Sequence, residues 1–150
     1  MADVASAVQH VRNALGPYAP VLIQRMVTGV ETLVTAGHDP DWGPVLTLGA
    51  GGTLVELLNN VVHLALPCDE PAVRTALERL DVQPLLKGYR DTAPADVDGL
   101  IGAVMRLQRI LLTHEDAVGE IELNPLVVWP KGQGVCVIDV LVTEKSEQGQ

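Results

Sequence analysis

The chain contains no phenylalanine, and Trp42, Trp129, Tyr18 and Tyr89 are its entire aromatic complement. Proteins that bind single-stranded nucleic acid stack bases on aromatic platforms, and this sequence has few to offer. Basic residues are scarce as well. Ten Lys and Arg against nineteen Asp and Glu leave a formal charge of −9 and a pI near 4.7. With so few cations, none of them clustered, nothing grips a phosphate backbone or an anionic membrane electrostatically, so neither nucleic acid nor membrane is expected as a partner. Cys68 and Cys136 are the only cysteines, far apart and without CxxC spacing. Neither a disulfide framework nor a cysteine metal site is indicated. Together with the lack of a signal peptide or a long apolar run, this fits a reducing, cytoplasmic setting.

What the chain does have is aliphatic residues. At 150 residues and 47% hydrophobic it can build one domain around Leu, Val, Ile and Ala, but it is short for a complete multi-domain enzyme. Val4, Val8, Val11 and Leu15 recur at helical spacing until Gly16-Pro17. The apolar stretch Pro20–Met26 reads as a strand, with a turn at Thr28-Gly29. Strands over Glu31–Ala36 and Val45–Leu48, joined by Gly37–Pro44, read as antiparallel neighbours. Gly49-Ala-Gly-Gly52 breaks the pattern, and Asn60–Leu66 resumes as a strand. Asp69 can cap a helix to about Leu80, and Asp96 a longer one to about Leu112. In the latter, Val97, Leu100, Ile101, Val104, Leu107 and Leu111 form one apolar face, which core packing explains.

The most informative stretch is Glu120–Trp129, followed by a Pro-Lys-Gly-Gln-Gly turn and the apolar run Gly134–Val142. This is a β-hairpin pattern, with Glu122, Asn124 and Asp139 set among apolar residues. If Trp129 pairs with Gly134, counting back along both strands brings Asn124 opposite Asp139, and period-two alternation keeps Glu122 on that face. Three oxygen donors then converge. Mg²⁺ takes such a set, commonly one or two carboxylates plus the phosphates of a nucleotide. A surface hairpin edged with charges is the alternative.

Several separated motifs resemble one known family. Val21-Leu-Ile-Gln-Arg-Met26, Gly29-Val-Glu31, Asp39-Pro-Asp-Trp-Gly-Pro44, Gly49-Ala-Gly-Gly52 with Glu56, Gly88-Tyr-Arg90, and Glu122-Leu-Asn-Pro125 with Asp139 are similar, in order and spacing, to the ATP-grasp domain of NDP-forming acyl-CoA synthetases. Succinyl-CoA synthetase β subunits are more distant relatives. The resemblance covers roughly residues 4 to 142. It implies an α+β fold, the C-terminal ATP-grasp subdomain, with a mainly antiparallel sheet and helices packed on it. Residues 1–142 would form a partial ATP-grasp domain and 143–150 a polar, flexible tail.

The resemblance also implies roles. Gln24, Arg25, Met26 and Val27 match the hinge that offers backbone hydrogen bonds to adenine, and Glu31 the carboxylate that holds the ribose hydroxyls. A carboxylate only accepts hydrogen bonds, as sugar hydroxyls require. Glu31 as a solvated turn residue is the plainer reading. Asn124 and Asp139 match Mg²⁺ ligands, with Glu122 a neighbour or third ligand. Gly49, Gly51 and Gly52 can turn backbone amides toward an oxyanion, or merely reverse the chain, with Glu56 beside them as anchor or surface charge. Arg90 is placed to face phosphate or an acyl phosphate as a catalytic residue, or to pair with Asp91 or Asp96. His38 stands where relatives often carry arginine. His10, His63 and His114 have no partners at metal spacing.

The departures are informative. The family's lysine-bearing N-terminal subdomain, which clamps the α- and β-phosphates, has no counterpart in this sequence, nor do its phosphohistidine and CoA-binding domains. Relatives usually have glycine near Thr35, aspartate near Asn60, arginine near Leu64 and glycine near Asp91. The expectation is therefore the ATP/ADP- and Mg²⁺-binding half of an acyl-CoA ligase, needing the other ATP-grasp half and the CoA-binding domains, in the same or another chain, for activity. The alternative is a degenerate, non-catalytic scaffold or regulatory module of an acyltransferase-type protein.

Overall fold

The computed structural model describes residues 3–52 and 60–145. Helix α1, Val4–Leu15, starts where the Asp3 carboxylate accepts the Ala5 N–H and ends at Gly16, whose positive φ lets its N–H reach Arg12 O at 2.8 Å. None of its residues is buried. The stretch after it, read as a strand over Pro20–Met26, is not one. Residues 21–28 form no regular structure, and Leu22, Ile23 and Met26 are exposed. An apolar run becomes a strand only where a neighbouring ladder takes up its backbone groups, and no described strand runs beside it.

The centre is an antiparallel sheet in the order β3-β2-β1-β4-β5, with β6 also on β4. Its strands are β1 (Val30–Asp39), β2 (Gly43–Ala50), β3 (Val61–Ala65), β4 (Val118–Val128), β5 (Val135–Val137) and β6 (Val140–Glu144). Between β1 and β2, Asp39 Oδ1 accepts the N–H groups of Asp41 and Trp42 at 2.9 and 3.0 Å, and Gly43 takes a positive φ, so the Asp-Pro-Asp-Trp-Gly-Pro motif is a hairpin turn. The expected antiparallel pairing is present, from Thr32 opposite Ala50 to Asp39 opposite Gly43.

Three helices between β3 and β4 in the chain pack on one face of the sheet: α2 (Glu70–Leu77), short α3 (Gln83–Leu86), which the sequence pattern did not suggest, and α4 (Val97–Thr113). Asp69 caps α2 through the Ala72 N–H at 2.9 Å, as expected, with Pro71 in the first turn. Asp96 caps α4 through the Gly99 N–H. Val34, Ala36, Leu46, Leu48, Ile121, Leu126 and Val128 of the sheet meet Val73, Leu77, Leu100, Ile101, Val104, Leu107 and Leu111 in one core. Burying each large aliphatic side chain contributes on the order of 1.5–3 kcal/mol, which fixes the helices to this face and leaves the other for polar work. In the core, Gln108 is the conspicuous polar residue, and it is fully engaged. Its Oε1 accepts the Cys68 N–H and its Nε2 donates to Cys68 O, each at 3.0 Å.

The last hairpin keeps the expected register. Trp129 N–H donates to Gly134 O at 3.1 Å, and Leu126, Val127 and Val128 face Val137, Cys136 and Val135. Ladder pairing lapses at Ile138-Asp139 and resumes with Leu123 opposite Val140. The returning run is therefore two strands in one register. β6 continues through Glu144, two residues past the expected end of the ordered domain.

Candidate functional site

Alternation along the strands decides which residues share the helix-free face. Thr47 faces His63 across β2–β3, Thr35 faces Thr47, and Glu122 faces Thr35, so these form one transverse row. Glu31 and Asn124 lie toward the end of the sheet where β1 begins. The ladder between β1 and β4 shifts register between Thr32 and Val34, an irregularity of the β-bulge kind often found beside functional sites. Thr32 is buried there, and its hydroxyl donates to Leu126 O at 2.8 Å.

Gly51 and Gly52 follow β2 into this corner. Gly51 N–H donates to Glu31 O at 3.0 Å, and a side chain on Gly51 would run into the Thr32 backbone. Gly52 has φ +59, and the space a Cβ would need is taken by Glu31 Oε2. Its N–H donates to Asn124 Oδ1 at 3.2 Å, and Asn124 Nδ2 donates to Glu122 Oε1 at 3.1 Å. An amide donor on one side and a carboxylate on the other leave Asn124 one sensible orientation. The structure thus joins Glu31, Gly51, Gly52, Asn124 and Glu122, which lie up to 93 positions apart in the chain.

Other expected site residues stand differently. Gly49 is not in the loop. It is buried within β2 between Leu33 and Val61, and a Cβ there would meet Val61 at 3.0 Å, so its glycine serves sheet packing. Glu56 lies outside the described residues. Asp139 pairs with Asn124 through the backbone, Asn124 N–H to Asp139 O at 3.2 Å, while its own Oδ1 accepts the Val140 N–H at 2.8 Å. Arg90, at φ +55, is exposed with its guanidinium 5.2 Å from the Tyr89 ring centre, a cation–π distance. It pairs with neither Asp91 nor Asp96. Among the described residues the ion pair formed is Arg74–Asp98, at the surface. Nor does Arg90 touch the Glu31–Gly52–Asn124–Glu122 chain of contacts.

Gln24–Met26, expected to act as the hinge, are exposed and Val27 is half-buried. Two clefts flank the end of β4. One, about 660 Å³, has Arg25, Met26, Val27 and Thr28 on one side and Trp129, Pro130 and Gln133 on the other. The second, about 570 Å³, is lined mainly by apolar groups including Leu85, Ala93, Ala95, Val128 and Trp129, with Glu31 its one carboxylate. Both sizes suit a small-molecule ligand. Sequence reasoning missed Trp129 and Pro130 as shared walls, although an aromatic residue at a strand end was a signal. The Leu85–Ala95 wall gave none. Of the departures, Asn60 accepts the Asp81 N–H at 3.0 Å, Leu64 packs against the core, and His38 Nδ1–H donates to Gly119 O at 3.2 Å. All three have structural employment.

Asp96 is the remaining strongly placed carboxylate. Its Oδ2 accepts the Gly134 N–H at 2.7 Å and its own N–H donates to Trp129 O at 2.7 Å, so it fastens α4 to the hairpin turn. The Gly134 and then the Gly99 N–H favour the charged form and hold its pKa below the ordinary aspartate value.

As for a metal, the corner offers hard oxygen donors: the second Glu122 oxygen, the remaining lone pair of Asn124 Oδ1, and the neighbouring Asp139. Among the described residues no three His, Cys, Asp or Glu side chains form a self-sufficient cage. Two carboxylates and an amide suit a cation that completes its shell with water and phosphate.

A family model described as an ATP-grasp domain matches residues 2–143. The chain belongs to the ATP-grasp family. It is 37% identical over 123 residues to a trans-feruloyl-CoA synthase from an unknown prokaryotic organism, covering 81% of this chain and 17% of that protein. It is 30% identical over 126 residues to the β subunit of the ADP-forming acetate–CoA ligase II of Pyrococcus furiosus, covering 83% of this chain and 53% of the subunit. The fold superposes with a TM-score of 0.74 and 30% identity on the dinucleotide-forming acetyl-coenzyme A synthetase 1 of Ca. Korarchaeum cryptofilum, solved with coenzyme A and Mg-AMPPCP. That match covers 80% of this chain and 55% of the other. This ATP-grasp chain therefore spans about half the length of the β-subunit relative and 17% of the synthase. No described helix is long and apolar enough to cross a membrane.

Proposed function

We propose that this ATP-grasp chain binds ATP or ADP with Mg²⁺ and works as the nucleotide half of an ADP-forming acyl-CoA ligase, converting acid, CoA and ATP to acyl-CoA, ADP and phosphate. The observation that carries this reading is the convergence of Glu31, Gly52, Asn124 and Glu122 on the helix-free face, next to the clefts that border residues 25–28 and Trp129. In this reading the backbone of Gln24–Val27 reads the adenine edge and apolar walls cover the ring. Glu31 accepts from the ribose hydroxyls. Glu122, Asn124 and Asp139 hold Mg²⁺, which when bound neutralises charge on the transferring phosphoryl group. Arg90, free of any ion pair among the described residues, is available to an anionic reactant.

The chain acts with partners in this reading: a phosphate-clamping ATP-grasp half and CoA-binding domains, in the same polypeptide or another. Alone it holds the nucleotide from one side, so affinity is weak. Calorimetric titration of ATP into the chain, with and without Mg²⁺, tests the reading. Metal-dependent heat supports it, and equal or absent heat from a folded chain opposes it. A second reading, a non-catalytic scaffold, draws on Leu64, which packs against the core at a position the family usually fills with arginine. It predicts no nucleotide binding even when the partner domains are supplied.

A further inference from the structure

Gly52 touches both halves of the corner at once. Its Cα faces the Glu31 carboxylate so closely that no side chain could be inserted, and its N–H is held by Asn124, whose amide is spent on Glu122. Gly52 holds both contacts at a positive φ, +59. The preceding peptide is tethered as well, by the Gly51 N–H on Glu31 O. A Glu31 carboxylate that turns toward a ligand gives up its contact with the Gly52 Cα and opens space on that side of the glycine. A cation on the remaining lone pair of Asn124 Oδ1 draws electron density from the oxygen that also accepts the Gly52 N–H, and so weakens that bond.

We propose that Gly52 is a positioning residue that couples the two ends of this site, so that a sugar hydroxyl engaging Glu31 and a divalent cation engaging Asn124 and Glu122 alter each other's affinity through the protein. The proposal rests on the nucleotide reading and deepens it. In a whole nucleotide, sugar and metal are also joined through the phosphates. Here a second connection runs through three side chains and one glycine peptide. Coupling between sites is reciprocal, so each ligand shifts the other by the same factor, commonly about 5- to 150-fold.

The test uses ligands that cannot meet each other. Adenosine carries the ribose without phosphates, and Mg²⁺ is added separately. In the first arm, without ligand, the amide spectrum of ¹⁵N-labelled chain is compared for wild type, Glu31→Ala and Gly52→Ala, with signal dispersion reporting folding. Coupling requires the Asn124 side-chain amide pair to shift in Glu31→Ala, although Glu31 does not touch Asn124. A Glu31→Ala spectrum in which Gly52 moves and the Asn124 pair does not would overturn it, and Gly52→Ala gives the same readout should Glu31→Ala unfold. In the second arm, the dissociation constant of adenosine is measured with and without saturating Mg²⁺. A shift of about fivefold or more in wild type, lost in Gly52→Ala, is expected. Adenosine and Mg²⁺ each binding with no mutual shift would overturn the coupling and leave the nucleotide reading standing. Absence of adenosine binding would contradict the nucleotide reading, and the first arm then decides the coupling by itself.

Discussion

Asn124 and Asp139 sit opposite each other where the β4 ladder passes from β5 to β6, with Asn124 N–H donating to Asp139 O at 3.2 Å. Ladder pairing lapses at that point and both strands keep one register on either side of it. The pair therefore sits in a gap of the ladder beside Glu122 and the Gly52 peptide, with Asn124 Oδ1 accepting the Gly52 N–H and Asp139 Oδ1 the Val140 N–H.

Replacing Glu31 by Gln keeps the shape and removes the charge. It is expected to weaken nucleoside binding by roughly tenfold to a hundredfold, the 1.5–3 kcal/mol of a hydrogen bond to a charged group, while leaving the unfolding midpoint nearly unchanged. Adenosine titration beside a urea melt checks this. Equal affinities in the two proteins would remove Glu31 from the sugar site.

Ile101 is buried in the second turn of α4. Ile101→Ala should cost about 2–5 kcal/mol through lost burial and the cavity left behind, read as a lower urea midpoint with an unchanged slope. A loss below about 1 kcal/mol would mean that α4 is not packed as described.

Gln108→Leu tests the polar bracket on Cys68. The substitution strips partners from both the N–H and the C=O of Cys68 in a half-buried place. A cost of about 1–3 kcal/mol is expected despite the gain in apolar volume. A stabilised variant would show that Cys68 finds other partners.

Asp96 gives a pH dependence with a definite sign. Its folded-state pKa lies below the unfolded value, near 3.9, because the Gly134 and Gly99 N–H groups favour the carboxylate. Its contribution to stability is therefore present above that unfolded value and lost as pH falls through the lower folded one. Asp96→Asn should be less stable than wild type at neutral pH, and the gap should narrow on acidification below about pH 4. Thermal melts from pH 7 to pH 2 measure it, and a constant gap would contradict the assignment.

Much of this was legible in the sequence, for reasons that are local. The Pro-Lys-Gly-Gln-Gly turn set the Trp129–Gly134 pairing, and that pairing alone placed Asn124 against Asp139. Asp69 and Asp96 announced their helices because an aspartate before an apolar period of 3.6 is a cap with a mechanism. The failures needed knowledge of neighbours. Pro20–Met26 has a strand's composition but no described ladder partner. Gly49 looked like part of the glycine loop that turns amides toward an oxyanion or reverses the chain, yet Leu33 and Val61 hold it inside the sheet. The Gly52–Asn124 bond and the Asp96–Gly134 bond join residues 72 and 38 positions apart, and no spacing rule reaches that far.

The central claim is that the β4 hairpin and the Gly52 corner hold a metal–nucleotide complex. Calorimetric titration of Mg²⁺-ATP and Mg²⁺-ADP into the chain, wild type beside Asn124→Ala/Asp139→Ala, with and without metal, tests it most directly. The account predicts weak, metal-dependent binding by wild type that the double variant loses while staying folded. Binding of equal strength in both proteins, or no heat from folded wild type at millimolar nucleotide, would contradict it.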